Sequence, residues 1–111
     1  MLLTKLATAL KQLENRIVIR GSLAKVYDTR VSPAGIPQTR FILAHQSDQT
    51  EAGLKRKIHC KVLIIIAGNA LHKEFKEFGE GQELTVEGYL SQVSYQGQNP
   101  KLCVNAESLK N

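Results

Sequence analysis

Two strand-like segments, residues 15–21 and 41–44, are separated by a segment rich in proline and glycine, residues 32–37. In the first of them, Ile17 and Ile19 alternate with arginine and valine, which is typical of a strand with one face in a core and a charged face in solvent. In the separating segment, Pro33 and Pro37 fix φ at their own positions, and Gly35 can adopt positive φ without steric cost. This pattern predicts two strands joined by a loop of defined shape.

Further strand patterns follow along the chain. The predicted strands cover residues 16–26, 38–46, 56–66, 82–95 and 101–106. Residues 47–55 are polar and contain a glycine, which predicts a loop between the second and third strands. A chain of 111 residues has room for one domain with a single core.

A short amphipathic helix is predicted between the third and fourth strands. Leu71, Phe75 and Phe78 recur at spacings of four and three residues within residues 69–78, and Gly79 stands where it can cap the helix end. In an OB-fold, a helix in this place closes one end of the barrel. The order of elements therefore predicts an all-β fold, a five-stranded OB-fold barrel with one short helix between strands 3 and 4.

Residues 1–14 form a separate N-terminal extension in which leucines recur at helical spacing. A helix of this length is marginal unless it covers a surface. Two interpretations stay open, a docking helix or an extension without a selected role. The OB-fold domain is predicted to span residues 15–109.

Positive charge is concentrated in one half of the chain. Residues 16–61 hold nine lysines and arginines and three carboxylates, a net charge of +6, whereas residues 62–111 carry a net charge of −2. A basic half favours a polyanionic partner such as nucleic acid, although solubility alone also accounts for a modest excess.

The sequence contains no pattern that points to catalysis, a cofactor or a metal. His45, His59 and His72 lie on different predicted elements; His45 is interpreted as a strand-end residue and His72 as part of the helix surface. Cys60 and Cys103 lack the spacing of metal ligands and are predicted to be buried or half-buried. The chain has no secretory signal or membrane-span pattern, which favours a cytoplasmic protein.

The third predicted strand brings informative side chains together. If Ile58, Cys60 and the apolar residues at alternate positions after them face the core, then Lys57, His59 and Lys61 face outward together. An imidazole between two lysines can stack on a nucleic-acid base beside the phosphates.

The order of several short motifs resembles the single-stranded-DNA-binding protein family, and within it the small replication-restart members. These motifs are Asn15-Arg16, Gly21, Ser32-Pro33-Ala34-Gly35-Ile36-Pro37, Phe41-Ile42-Leu43, Glu51-Ala52-Gly53, Ala67-Gly68 and Val86-Glu87-Gly88-Tyr89-Leu90-Ser91. The resemblance covers nearly everything from residue 15 to residue 107. It implies an OB-fold homodimer that binds single-stranded DNA (ssDNA) as a non-enzymatic primosome adaptor in replication restart, stabilises the PriA helicase on DNA and recruits DnaT.

The candidate ssDNA-binding residues combine cations with aromatic rings. They are Arg16, Arg20, Arg30, Arg40, Lys55, Arg56, Lys57, His59, Lys61, Tyr89, Tyr95 and Lys101. The resemblance implies base stacking at His59, because family members often carry an aromatic residue at the middle of the third strand; an ordinary exposed histidine is the alternative. The cluster of residues 55–57 is expected to contact phosphates. For the remaining arginines and the tyrosines, a solvent-face or barrel-edge role stays open.

Residues 94–101 depart from the family pattern, in which several lysines occupy this loop. Here Lys101 is the single cation, and Tyr95 is the single aromatic residue. Fewer phosphate contacts predict weaker binding with a shallower salt dependence. The alternative interpretation of the chain is therefore an OB-fold protein-interaction module with weak or no DNA binding.

Overall fold

Six strands and one helix make up the part of the chain that the computed structural model describes, residues 13–93 and 101–111. They are β1 (Ile17–Val26), β2 (Arg30–Val31), β3 (Pro37–Glu51), β4 (Leu54–Ala67), α1 (Asn69–Phe75), β5 (Glu83–Val93) and β6 (Lys101–Lys110). The helix predicted for the N-terminal extension falls on residues 1–14, of which 1–12 lie outside the described residues. Nowhere in the described ranges does a helix have the length and hydropathy needed to cross a bilayer.

Five of the strands close into a barrel. Neighbouring strands follow the order β1-β5-β6-β4-β3, and β1 also pairs with β3, which completes the circle. The two-residue strand β2 adds to the start of β3. The pairs are antiparallel except for β4 with β6, which is parallel. The prediction of an all-β, five-stranded barrel with one short helix is confirmed.

Strand β1 changes partner near its middle. Residues 17–22 pair with β5, and residues 22–26 pair with β3. At Gly21 a Cβ atom would lie 2.4 Å from the carbonyl oxygen of Ala44, so only glycine permits the two backbones to approach this closely. Gly21 therefore forms a corner of the barrel.

Apolar side chains from every long strand fill the barrel. The residues that are at most 2% exposed include Leu23, Phe41, Leu43, Ile64, Ile66, Leu84, Val86 and Val104. Helix α1 covers one end of this core, where the ring of Phe75 stacks on that of Phe41 with 5.0 Å between the centroids. Leu71 and Phe78 pack against the same cluster. Burial of each such side chain contributes about 1.5–3 kcal/mol, so the barrel, not the helix, dominates stability.

Helix α1 ends earlier than the predicted residue 78. It stops at Phe75, and Lys76 still has right-handed helical backbone angles. The amides of Glu77 and Phe78 then donate to carbonyls three residues back, at 3.2 and 3.0 Å. These tighter turns satisfy the last helical carbonyls. The predicted capping role of Gly79 is therefore wrong.

The prediction that His72 belongs to the helix surface is also wrong, because its ring joins α1 to β3. The Nε2 atom lies 2.7 Å from Oγ1 of Thr39, and Nδ1 donates to the carbonyl of Gly68 at 2.7 Å. Thr39 is 2% exposed, and its hydroxyl also lies 2.6 Å from that of Thr29. A polar group buried at the barrel end is thereby satisfied. The pattern of the helix alone gives no sign of this partner, which is 33 residues away.

The loop predicted for residues 47–55 is instead a continuous hairpin of β3 and β4. Ala52 and Gly53, with φ of 51° and 79°, form its two-residue turn between the paired residues Glu51 and Leu54. Because β1 stops pairing with β3 at Ala44, the hairpin beyond that point has solvent on both faces. Residues 47–55 are mostly polar on both faces, and the apolar alternation that marks a half-buried strand is absent from this stretch.

Cys60 lies on this hairpin and is exposed, so the prediction that it is buried or half-buried is wrong; for Cys103, which is buried, the same prediction is confirmed. Within the barrel the predicted register is correct, because Ile64 and Ile66 lie on the same side of β4 as Cys60 and are fully buried. At Cys60 the strand has already left the barrel. The side of the strand that faces the core inside the barrel therefore faces solvent at Cys60.

Candidate nucleic-acid interface

Beyond the barrel, residues 45–60 of β3 and β4 form a two-stranded projecting hairpin. His45 fixes the base of this hairpin to β1. Its Nδ1 donates to the carbonyl oxygen of Arg20 at 2.6 Å, and its Nε2 lies 2.8 Å from Oγ of Ser47. His45 lies in the middle of β3, which continues to Glu51, so the prediction of a strand-end residue is wrong. Its ring bridges β1 and β3 where their backbone pairing has stopped, and it orients the hairpin on the barrel.

One side of the β3–β4 pair carries four of the nine predicted lysines and arginines. This outer ladder face consists of the even-numbered residues 38–50 of β3 and the odd-numbered residues 55–67 of β4, which are directly paired and point away from the core because side chains alternate along a strand. Lys55, Lys57, His59 and Lys61 occupy alternate positions on it and are all exposed. The structure therefore places the four side chains on one surface.

The charge on the outer ladder face is predominantly positive. Asp48 is its single carboxylate, directly opposite Lys57 on the neighbouring strand. The ion pairs found among residues 13–93 and 101–111 do not include Lys55, Lys57 or Lys61. Their ammonium groups are thus available to an anionic ligand that passes His59.

Arg56 is separated from this face, although it follows Lys55 directly in the sequence. Consecutive strand residues point to opposite sides, and the guanidinium of Arg56 forms an ion pair with Glu51 across the hairpin. The predicted cluster of residues 55–57 is therefore divided between two faces of the hairpin.

The other end of the outer ladder face borders a groove of about 440 Å³. Arg30, Arg40 and Lys101, which are far apart in the sequence, all line it. Tyr27 lines it as well and is 42% exposed. Sequence reasoning missed this tyrosine, whose only signal is an aromatic residue beside Lys25 at the end of a basic strand.

The two remaining predicted arginines engage carboxylates of β5. Arg16 donates to Oε2 of Glu87 at 3.0 Å, and Arg20 donates to Oγ1 of Thr85 at 3.0 Å and pairs with Glu83 at 3.4 Å. The hydrogen bond and charge of Lys110, assisted by the charge of Arg16, lower the pKa of Glu87. The positive charges of Arg16 and Arg20 are therefore already paired with carboxylates within the protein.

Arg20 nevertheless lies close to the hairpin. It borders a groove of about 790 Å³ that His59 and Lys61 also line. Arg16 does not line this groove, so the structure brings one of the two arginines to the candidate interface.

Neither of the two predicted tyrosines is placed on the β3–β4 pair: Tyr89 lies on β5, and Tyr95 lies outside the described residues. Tyr89 is 41% exposed on β5 and stands in a row of paired residues that crosses β6 and β4 through Asn105 and Ile65 to Arg40. Tyr95 falls in residues 94–100, outside the described part of the chain.

Asn15 has a structural role that the sequence motif did not reveal. Its Nδ2 donates to the carbonyl of Leu90, and the amide of Leu90 donates to its Oδ1, both at 2.8 Å. The side-chain amide thus forms the pair of hydrogen bonds that one more residue of the β1–β5 ladder would form. It holds the start of β1, and with it Arg16, against β5.

The chain is similar in sequence to proteins of known function. A family model described as "another single-strand binding protein family" matches residues 15–106. The replication restart protein PriB of Proteus mirabilis is 41% identical over 98 residues, which cover 86% of this chain and 91% of that protein. PriB of Photorhabdus laumondii subsp. laumondii has the same identity and the same shares.

Solved structures show the same fold. PriB from Ralstonia solanacearum matches with a TM-score of 0.74 and 21% identity over 87% of this chain and 97% of that chain. The single-stranded DNA binding protein from Thermus aquaticus matches with a TM-score of 0.68 and 24% identity over 87% of this chain and 49% of that chain. These structures show the fold, and the sequence matches establish that the chain belongs to the single-strand binding protein family and, within it, to the PriB replication restart proteins.

Proposed function

We propose that this chain is a non-enzymatic, sequence-tolerant ssDNA-binding protein that acts as a primosome adaptor in replication restart. The observation that carries the proposal is the exposed row of Lys55, Lys57 and Lys61 around His59 on the outer ladder face. The names of the relatives, replication restart proteins, supply the biological setting.

The proposed mechanism is electrostatic attraction followed by stacking. Lysines on the outer ladder face contact phosphates and release the counterions condensed on the DNA, which is favourable at low salt and independent of sequence. The imidazole of His59 provides a platform for one base, and stacking on a ring accepts any base. Binding in this mode holds the strand extended along the domain of residues 15–109 and requires no reacting group.

The partners belong to the same proposal. The complex of this protein with ssDNA stabilises the PriA helicase on DNA and recruits DnaT in the cytoplasm. Membership among the replication restart proteins supports this assignment. A reconstituted assay with purified PriA, DnaT and a forked DNA is its direct test, with helicase retention on the fork as the readout.

A homodimer is expected in solution. Residues 17–21 of β1 pair with β5 on one side only, since pairing with β3 begins at Ser22. A second copy that pairs β1 with β1 across a two-fold axis would satisfy this edge. Light scattering at micromolar concentration should give twice the chain mass of 12.3 kDa; a monomer mass under these conditions would contradict the dimer.

His59 separates the proposed function from its alternative. His59→Ala should weaken binding of a 12-nucleotide oligo-dT about fivefold, because an imidazole platform lies at the lower end of the range for base stacking. His59→Trp should tighten binding, and its fluorescence should change on adding DNA. Fluorescence anisotropy of labelled oligonucleotide measures both effects, and circular dichroism verifies the fold.

If the parent and both variants bind DNA equally poorly, and the tryptophan emission is insensitive to DNA, the ssDNA function is wrong and the protein-interaction module is favoured. Unfolding of His59→Ala would contradict the exposed position of His59 on the hairpin.

A further inference from the structure

We propose that residues 1–12 fold back as an amphipathic helix onto the barrel end that carries Leu90 and Leu102, and that the leucines of this segment cover those two side chains. The barrel end is then a docking surface for the chain's own N-terminal segment. Of the two interpretations that the sequence leaves open for the extension, the proposal selects the docking helix. It does not depend on DNA binding.

The two exposed leucines continue the core faces of β5 and β6. Leu90 pairs directly with Val104, which is 2% exposed in the core of the barrel. Paired residues point to the same side of a sheet, as do residues two positions apart in one strand, so Leu90 and Leu102 both lie on the core side. Leu90 is nevertheless 40% exposed and Leu102 is 58% exposed. The apolar pattern of both strands therefore extends beyond the region that the barrel itself buries.

The barrel end at Leu102 is the one that helix α1 does not cover. Residues of α1 line a groove together with Leu109, which places the helix near the C-terminal end of β6. Leu102 lies seven residues earlier in this strand, about 23 Å away at the rise of a β-strand. Among the described residues, no helix lies over that end.

The path of the chain brings the N-terminal segment to the same place. The side chain of Asn15 forms two hydrogen bonds of 2.8 Å with the backbone of Leu90. Leu13, two residues earlier, is 71% exposed, and two residues of chain span at most about 7 Å. Residues 1–12 therefore join the barrel close to Leu90. A helix of that length is about 18 Å long, enough to cross three neighbouring strands at a spacing of about 4.8 Å.

The sequence of the segment supplies an apolar face for this surface. At helical spacing the apolar residues fall on one side, whereas Thr4 and Thr8 fall on the opposite side. The apolar residues are Leu2, Leu3, Leu6, Ala9, Leu10 and Leu13. A helix this short is marginal in water and depends on packing of its apolar face, and docking removes the leucines of both surfaces from water. The family model begins to match at residue 15, so the docked segment lies outside the part of the chain that resembles the family.

The test is a double-mutant cycle in the full chain, with the melting temperature measured by circular dichroism. Leu6→Gln combined with Leu10→Gln should lower the melting temperature by roughly 5 °C, because the docked face is lost. Leu102→Gln should lower it by a similar amount, although its side chain is exposed in the barrel alone. All three substitutions together should lower it no further, since both changes remove the same contact. Thr4→Gln combined with Thr8→Gln, on the opposite side of the segment, is the matched control and should melt like the parent.

Nuclear Overhauser effects between leucine methyl groups provide the direct readout in the parent. Contacts of Leu6 or Leu10 with Leu90 or Leu102 are expected. The proposal is wrong if these contacts are absent and the melting temperature is unchanged by Leu102→Gln or falls additively in the combined variant. Contacts that arise only between differently labelled copies would assign the barrel end to a second copy and overturn docking within one chain. Should a variant fail to fold, the methyl contacts of the parent decide the question.

Discussion

A triple variant in which alanine replaces Lys55, Lys57 and Lys61 should have an affinity for ssDNA about 100-fold lower at 0.1 M salt. Each phosphate contact contributes about 0.7 to the slope of log K against log[salt] for single strands, so the loss of three contacts should reduce the slope by about 2. The three lysines share the outer ladder face and form no ion pair with other residues in the described ranges. A salt series of anisotropy titrations measures both quantities.

Arg56 and Lys57 form a matched pair for this experiment, because they are neighbours in the sequence and lie on opposite faces of the projecting hairpin. Arg56→Ala removes a guanidinium that is already paired with Glu51, and it should reduce the salt slope less than Lys57→Ala does. Equal reductions would show that DNA contacts both faces. An unchanged slope in the triple variant would mean that the lysines are only a solvated surface.

Gly88→Ala should destabilise the barrel by about 3 kcal/mol, at the upper end of the usual effect of overpacking. A Cβ atom at Gly88 would lie 2.0 Å from the carbonyl oxygen of Asn105 and 3.0 Å from Cα of Ala106. Both are backbone atoms of β6, so the strand itself must shift at the register irregularity between Glu87 and Gly88. The melting temperature should fall by roughly 15 °C, given about 4–8 °C per kcal/mol for a domain near this size.

Gly79→Ala is the matched control for Gly88→Ala. A Cβ atom at Gly79 meets nothing within 4 Å, and the residue does not have positive φ. Alanine there should leave stability unchanged or raise it by up to about 1 kcal/mol, because it restricts the unfolded chain. Equal melting temperatures for Gly88→Ala and the parent would contradict the register of β5 and β6.

The parts of the fold that the sequence predicts are those in which each strand has one face in the core. Lys57, His59 and Lys61 alternate with Ile58, Cys60 and Val62, and this alternation predicts which side of β4 faces outward. Ile64 and Ile66, on the same side of the strand as Val62, are fully buried. The spacing of Leu71 and Phe75 likewise predicts the helix that covers the barrel end. In each case a local period reports burial directly, because burial of apolar area is the largest favourable contribution to folding.

Where a segment has no core beside it, the period disappears, and the sequence alone gives a wrong or incomplete description. Residues 47–55 are mostly polar on both faces, so the sequence predicts a loop there. Cys60 lies on the same side of β4 as the core residues, but at a point where the barrel has ended. Tertiary structure also decides which distant residues meet. It joins His72 to Thr39, 33 residues away, and Asn15 to Leu90, 75 residues away.

The charge, the strand periods and the motif order of this chain determine by themselves a basic, five-stranded barrel of the ssDNA-binding family. Only the closed barrel decides which cations share a surface, because strand pairing brings together residues far apart in the sequence. For this reason Arg30, Arg40 and Lys101 line one groove with Tyr27. Arg16 and Arg20 instead form ion pairs with carboxylates of β5. Local periodicity specifies the face on which a side chain lies, and long-range pairing specifies its neighbours.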